Sequence, residues 1–173
     1  MTPGVVVWIT GLPSAGKSTF AEHLLRALRP LRVPACVLDG DAVRKCLVPA
    51  PGYTAEERAH FYETLARLAA LLAAQGMVAL VPATAHRRAF REQARALAPA
   101  FLEVWVATPL AACRARDTKG LYAGSRAGHA TNVPGADDAY EPPTNAAVVA
   151  RDGADGEALG AVLAQLARLG SLP

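Results

Sequence analysis

Aromatic side chains are scarce in this sequence, at 6% of 173 residues, and lysine is scarcer, since 15 of the 18 basic residues are arginine. No apolar run reaches the roughly 20 residues that cross a bilayer. The amino terminus shows no basic region followed by an apolar signal segment, so neither a membrane partner nor export is expected. A dense basic stripe interleaved with aromatics is also missing, which removes nucleic acid from the expected partners. Cysteine is down to three residues, Cys36, Cys46 and Cys113, an odd number without metal-ligand spacing. That excludes a disulfide framework or a zinc site and predicts the reducing cytoplasm.

What remains is a globular composition. Hydrophobic residues make up 52% and the mean hydropathy is +0.19, too apolar for a disordered chain, with alanine supplying much of the share. The length suits one α/β domain, residues 1–173, with its own core. A net charge of +3 and a pI near 9.0 are mild. Arginine's planar fork suits phosphate oxygens, so an anionic substrate is compatible with this balance. A compositional bias towards Ala, Arg and Leu would give the same numbers on a solvated surface, and composition alone favours that.

Five short apolar runs bounded by turn residues read as buried strands: Val5–Thr10, Pro34–Asp39, Met77–Ala83, Phe101–Ala107 and Ala146–Ala150. Helical periods lie between them, at Gly16–Leu28, Arg88–Leu97, Leu110–Asp117 and Glu157–Leu169. The longest helix starts near Thr54, where a hydroxyl followed three residues later by Glu57 makes a capping box, and ends at Gly76. Its apolar stripe is Phe61, Leu65, Leu68 and Leu72. Alternation at this length predicts an α/β fold with a doubly wound, mainly parallel five-stranded sheet flanked by helices. Ligands then bind beyond the carboxyl ends of the strands. Residues 118–144 break the alternation with four glycines and three prolines, which makes them either a functional loop or a flexible excursion.

The first strand leads into GLPSAGKST, Gly11 to Thr19, which satisfies the P-loop pattern in its required strand-to-helix context. Glycines let backbone N–H groups approach phosphate oxygens, and the following helix adds its dipole. Gly11, Ser14, Ala15, Gly16, Lys17, Ser18 and Thr19 are therefore the candidate residues for binding the phosphates of a nucleotide. Lys17 would reach the β and γ phosphates and Ser18 would hold Mg2+. Asp39 and Asp41, in LDGDAVR at the end of the second strand, can position magnesium or take a proton from an attacking hydroxyl. An Asp-Gly turn or a helix cap would also use them.

Together with GYTAEER, the segment FLEVWVATPLAACRARDTKGLY and the run SRAGHATNVPGADDAYEPP, these residues resemble the adenylyl-sulfate kinase family from about Val5 to Asp152. That family uses ATP to phosphorylate the ribose 3′ hydroxyl of adenylyl sulfate. The resemblance implies a P-loop NTPase-type fold and assigns roles by position. Lys17, Asp39 and Asp41 would be catalytic, with Asp41 the base and Ser18 and Asp39 on the metal. Arg116 would lie against the ATP adenine, and Arg44 would bind the anionic part of the acceptor. Tyr53 stands where the family has a phenylalanine that stacks on the acceptor's adenine. Lys119, Gly120, Leu121 and Tyr122 would begin a lid of about residues 118–144 and contact substrate. A glycine-hinged loop carrying Lys119 and Arg126 could also shield the γ phosphate from water.

Departures from the family pattern fall on the acceptor side. Where the family continues with Asn-Ile-Arg-Arg, this chain has Phe61-Tyr62-Glu63-Thr64, so Glu63 or Thr64 replaces an arginine. Ile-Ser-Pro-Tyr-Arg becomes Thr84-Ala85-His86-Arg87-Arg88, and the Phe-Thr-Gly that supplies a second stacking ring becomes Val133-Pro134-Gly135. One charge-assisted hydrogen bond is worth about 1.5 to 3 kcal/mol, so Arg58, Arg87 or Arg88 must compensate if adenylyl sulfate is to bind well. His60, His86 and His129 fall near these segments, where a solvated histidine is the commonest outcome. Tyr62 could line the acceptor pocket or pack in the core.

The expected partners are ATP and a small, anionic, hydroxyl-bearing acceptor, with a homodimer as the assembly considered. Adenylyl sulfate leads as acceptor. A relative acting on another small alcohol and a non-catalytic ATP sensor are the competing readings. Retention of Lys17, Ser18, Asp39 and Asp41 argues against the sensor, since a pure binder needs no base near the γ phosphate.

Overall fold

The computed structural model describes residues 4–117 and 119–172; the expected domain limits Met1 and Pro173, and Thr118 at the start of the lid, lie outside the described residues. Five strands, β1 (Val6–Thr10), β2 (Ala35–Val37), β3 (Val78–Pro82), β4 (Phe101–Val106) and β5 (Val148–Ala150), form one sheet. Its order is β2-β3-β1-β4-β5, with all four pairings parallel. β1 is buried at every position, which its unbroken apolar run requires of a central parallel strand. Alternation along it sends Val7 and Ile9 into one core layer, and Val6 and Trp8 into the other.

Helices cover both faces. On one side pack α1 (Lys17–Leu28) and, beside β5, the C-terminal helix α7 (Gly156–Arg168). On the other lie α3 (Ala55–Ala74) and α4 (Arg88–Leu97). The capping box at Thr54 and Glu57 forms in both directions, and the Thr54 bonds hold the Glu57 carboxyl below its ordinary range. The buried stripe of α3 differs from the expected one. Phe61 and Leu65 are in the core, but Ala66, Ala69 and Ala73 follow them while Leu68 and Leu72 sit only half-buried. Small side chains let the helix come close to the sheet, so alanine rather than leucine carries its inner face.

Three short helices fill the connections: α2 (Gly40–Cys46), α5 (Leu110–Arg116) and α6 (Leu121–Arg126). Two of them, α2 and α6, carry no sustained apolar period, which is why the sequence reads as a turn and a loop there. The strand order reverses on either side of β1, since the chain passes first to β2 and β3 and later to β4 and β5. The carboxyl end of β1 is therefore the switch point where a ligand crevice opens.

Candidate active site

At that crevice the loop from Gly11 to Gly16 turns β1 into α1. A Cβ at Gly11 would stand 2.6 Å from Val106 O, and one at Gly16, φ 101°, would stand 2.8 Å from Gly153 N, so neither position accepts a side chain. The loop is braced from outside. Thr108 donates its hydroxyl to Ala15 O at 2.7 Å, and the Tyr122 hydroxyl donates to Pro13 O at 3.1 Å. Ser14 takes a left-handed φ of 60°, and its hydroxyl is buried without a partner. A phosphate oxygen held in this loop would satisfy such an orphan.

Lys17 opens α1 and folds back, donating to Leu12 O at 2.7 Å and Gly11 O at 3.1 Å. Burial, followed by the Lys119 ammonium, pushes its pKa down to about 8. Two ammonium groups directed to one place raise the local potential until an anion joins them. Lys119, at the start of the lid, forms an ion pair with Asp41. The Ser18 hydroxyl donates to Asp39 Oδ2 at 2.6 Å. Asp39 Oδ1 meanwhile caps α2 by accepting from the backbone of Asp41 at 3.0 Å and Ala42 at 3.2 Å. Cap and candidate metal ligand are thus one side chain using different oxygens.

The oxygen set of Ser18, Asp39 and Asp41 fits Mg2+, which takes one or two carboxylates and leaves other positions to phosphates and water. No cluster of three or more metal-ligating His, Cys, Asp or Glu side chains exists among the described residues, so nothing competes as an all-protein cage. Arg116 is exposed beside the loop, its Nη1 3.9 Å from the position a Gly16 Cβ would take.

The candidate acceptor side is a small solvent-open cavity whose walls include Tyr53, Arg58, His86, Arg87, Phe90 and Asp138. Arg58 donates to Asp138 Oδ2 at 3.3 Å and to Asn132 O. Behind the wall, Tyr62 is a core residue whose hydroxyl accepts from Ala85 N at 3.0 Å, and burial raises its pKa. Arg91, 1% exposed, spends its donors on Glu103 Oε1, Ala85 O and Glu141 O, each within 2.7 Å.

Several expected site residues stand outside the wall of this cavity. Tyr122 is 2% exposed beneath the phosphate loop, with its pKa pushed up to about 12 by burial, and it braces the loop. Arg44, 8% exposed, lies between the Tyr53 and Phe61 rings at 4.5 and 3.9 Å and donates to Pro51 O and Gly52 O; it holds the segment carrying Tyr53 and is not in the cavity wall. Arg88 turns to Glu141, which accepts from its backbone at 2.7 Å, while Arg87 occupies the wall. Glu63 pairs with Arg67 on the surface of α3, and Thr64 bonds to His60 O, so neither lies in the wall.

The expected lid divides in two. Residues 119–130 contain α6, which opens on half-buried Leu121 and is flanked by Gly120 at one end and Gly128 at the other. Residues 132–141 are strapped down. Asp137 accepts from Val133 N at 2.6 Å and Asn132 N at 2.7 Å, and the Tyr140 hydroxyl meets Thr10 Oγ1 at 3.0 Å. The Val133 bond is the main reason the Asp137 carboxyl lies below its ordinary range. Sequence reasoning missed Arg91 and Thr108 altogether. A glutamate in the middle of the apolar strand FLEVWV is the signal that a buried cation had to meet Glu103.

A parallel sheet with a glycine loop and a half-buried lysine between its central strand and first helix defines a P-loop nucleotide-binding protein. The family model for adenylylsulphate kinase matches residues 3–151. An adenylyl-sulfate kinase of Gloeothece citriformis is 41% identical over 171 residues, covering 98% of this chain and 97% of that protein. One from Paraburkholderia xenovorans is 42% identical over 150 residues, covering 84% and 82%. The solved Mycobacterium tuberculosis APS kinase CysC, in complex with AMPPNP and APS, superposes with a TM-score of 0.89 at 36% identity, covering 97% of this chain and 99% of the other. The chain belongs to the adenylylsulphate kinase family, and it is an ATP-dependent phosphotransferase. No described helix is long and apolar enough to cross a membrane.

Proposed function

We propose that this enzyme transfers the γ-phosphoryl group of ATP to the ribose 3′ hydroxyl of adenylyl sulfate, giving 3′-phosphoadenylyl sulfate and ADP. The observation that carries the reading is the convergence of Lys17, Lys119, Ser18, Asp39 and Asp41 at the carboxyl ends of β1 and β2. Relatives that match over nearly the whole chain carry the adenylyl-sulfate kinase name, which selects the acceptor.

Backbone N–H groups of the loop, the α1 N-terminus and Lys17 hold the phosphates of ATP. Ser18 and Asp39 would hold Mg2+, which when bound neutralises phosphate charge. Asp41 takes the proton of the acceptor hydroxyl as its oxygen bonds to the γ phosphorus and the bond to ADP breaks. Lys119, already at Asp41, adds positive charge beside the reacting oxygens. The wall of Arg58 and Arg87 supplies cations for an anionic acceptor without the arginine that the family carries on the third helix.

A single-turnover assay with γ-labelled ATP tests this. Label should appear in 3′-phosphoadenylyl sulfate within the first turnover, while other small alcohols should accept little. Tight ATP binding with transfer only to a different alcohol would refute the acceptor assignment.

A further inference from the structure

Two carbonyl groups of the phosphate loop are held by hydroxyls that belong to other parts of the chain. Thr108, buried in the loop after β4, donates to Ala15 O at 2.7 Å and makes a longer approach to Arg151 O at 3.3 Å. Its own backbone is fixed, because Cys113 Sγ donates to Thr108 O at 3.6 Å. Tyr122, buried in α6, donates to Pro13 O at 3.1 Å. Burial has pushed its pKa up to about 12, so the hydroxyl keeps its proton and stays a donor at neutral pH.

A trans peptide unit is planar, and its C=O and N–H point in opposite directions. A carbonyl pinned to a hydroxyl on the buried side of the loop therefore turns the N–H of the next residue to the open side. Ala15 O sets Gly16 N–H in this way, and Pro13 O sets Ser14 N–H. The N–H between them, that of Ala15, is spent inside the loop on Leu12 O at 3.1 Å. Those of Ser14 and Gly16 have no acceptor among the described residues. Both residues are left-handed, Ser14 at φ 60° and Gly16 at φ 101°, and for Ser14 that is an uncommon conformation. Neighbouring N–H groups directed to one side by such a backbone make an anion-binding concavity. A peptide unit released from its hydroxyl is free to turn over and present a carbonyl oxygen to the phosphates instead.

We infer that Thr108 and Tyr122 are positioning residues for the phosphoryl donor: by holding Ala15 O and Pro13 O, they aim the N–H groups of Gly16 and Ser14 at phosphate oxygens of ATP. The donors are then oriented before ATP arrives, and no binding energy goes into turning them. Tyr122 belongs to the helix that follows Lys119, so the base of the lid helps to build the donor cradle. The inference rests on ATP as the occupant of the loop and is independent of the acceptor.

Amide-proton NMR of the whole protein, titrated with magnesium and a non-hydrolysable ATP analogue, tests this in the wild type, Thr108→Val, Thr108→Ser and Tyr122→Phe. In the wild type the Ser14 and Gly16 amide protons should move downfield as they bond to phosphate oxygens. Thr108→Val, which keeps the shape and removes the hydroxyl, should lose the Gly16 shift and keep that of Ser14. Tyr122→Phe should do the reverse. Each loss should weaken binding of the analogue about ten-fold in equilibrium titration. Thr108→Ser returns the hydroxyl and should recover both shift and affinity. Support of the fold alone would lower the thermal midpoint without matching each hydroxyl to its own amide, so loss of both shifts in either variant counts against the proposal. If Thr108→Val fails to fold, Tyr122→Phe carries the test. A wild-type Gly16 shift and affinity in Thr108→Val, or a wild-type Ser14 shift and affinity in Tyr122→Phe, overturns the proposal and leaves ATP in the loop. A wild type in which neither amide moves overturns it together with the placement of ATP there.

Discussion

The Ser18 hydroxyl donates to Asp39 Oδ2 at 2.6 Å, tying the first residue after the phosphate-loop lysine to the N-cap of α2. The pair joins two elements that lie 21 positions apart in the chain and places a hydroxyl and a carboxylate where a hard cation meets triphosphate oxygens. Asp39→Asn separates the two tasks of this side chain, because asparagine caps helices as well as aspartate does. The variant should keep its thermal midpoint within a few degrees and need roughly ten-fold or more extra magnesium for half-maximal activity. An unchanged magnesium requirement would remove Asp39 from the metal site.

Lys17, with its pKa near 8 instead of the ordinary 10.5, makes proton linkage measurable. Between those values the unfolded chain binds more protons than the folded one, so stability contributed by this group rises with pH across that window. Phosphates beside the ammonium favour its charged form, so ATP binding near pH 8.5 should take up roughly three-quarters of a proton. Calorimetry in buffers of different ionisation enthalpy reads that uptake. Lys17→Ala should abolish both the uptake and the turnover with little change in fold, since the side chain faces the loop.

Asp41 is the proposed base, and its carboxylate is exposed and already paired with Lys119. Asp41→Asn should slow the chemical step by about 10²- to 10⁴-fold while leaving ATP affinity near the wild-type value, as rapid-quench kinetics and equilibrium binding would show. Equal losses in both would make Asp41 a metal ligand.

Arg91 and Glu103 form an almost wholly buried ion pair, with Nε to Oε1 at 2.7 Å, and Arg95 reaches the other oxygen at 2.9 Å. Removing one partner strands the other. Glu103→Ala should cost about 3 to 5 kcal/mol in denaturant unfolding. It should also raise KM for the acceptor more than for ATP, because Arg91 holds Ala85 and Glu141 at the cavity.

The fold was legible where its signal is local. Apolar runs set the five strands, Thr54 and Glu57 announce α3, and GLPSAGKST fixes the phosphate loop between a strand and a helix. Three features escaped sequence reasoning. Helix α2 is seven residues long and depends on Asp39, which reads equally well as a turn residue before Gly40. The strap at residues 132–141 is built from side chains of Asp137, Asp138 and Tyr140 reaching backbone and distant partners, so no periodicity betrays it. The cavity wall assembles residues from Tyr53 to Asp138, and only the topology shows that Arg87 joins it while Arg44, Arg88 and Tyr122 bond to protein partners elsewhere.

A crystal structure with magnesium, a non-hydrolysable ATP analogue and adenylyl sulfate tests the central claim most directly. We predict triphosphate oxygens on the backbone amides of residues 11–19 and on Lys17, with the ribose 3′ hydroxyl in line with the γ phosphorus and within reach of Asp41. A sulfonucleotide bound away from Asp41, or a triphosphate lying outside the loop, would contradict it.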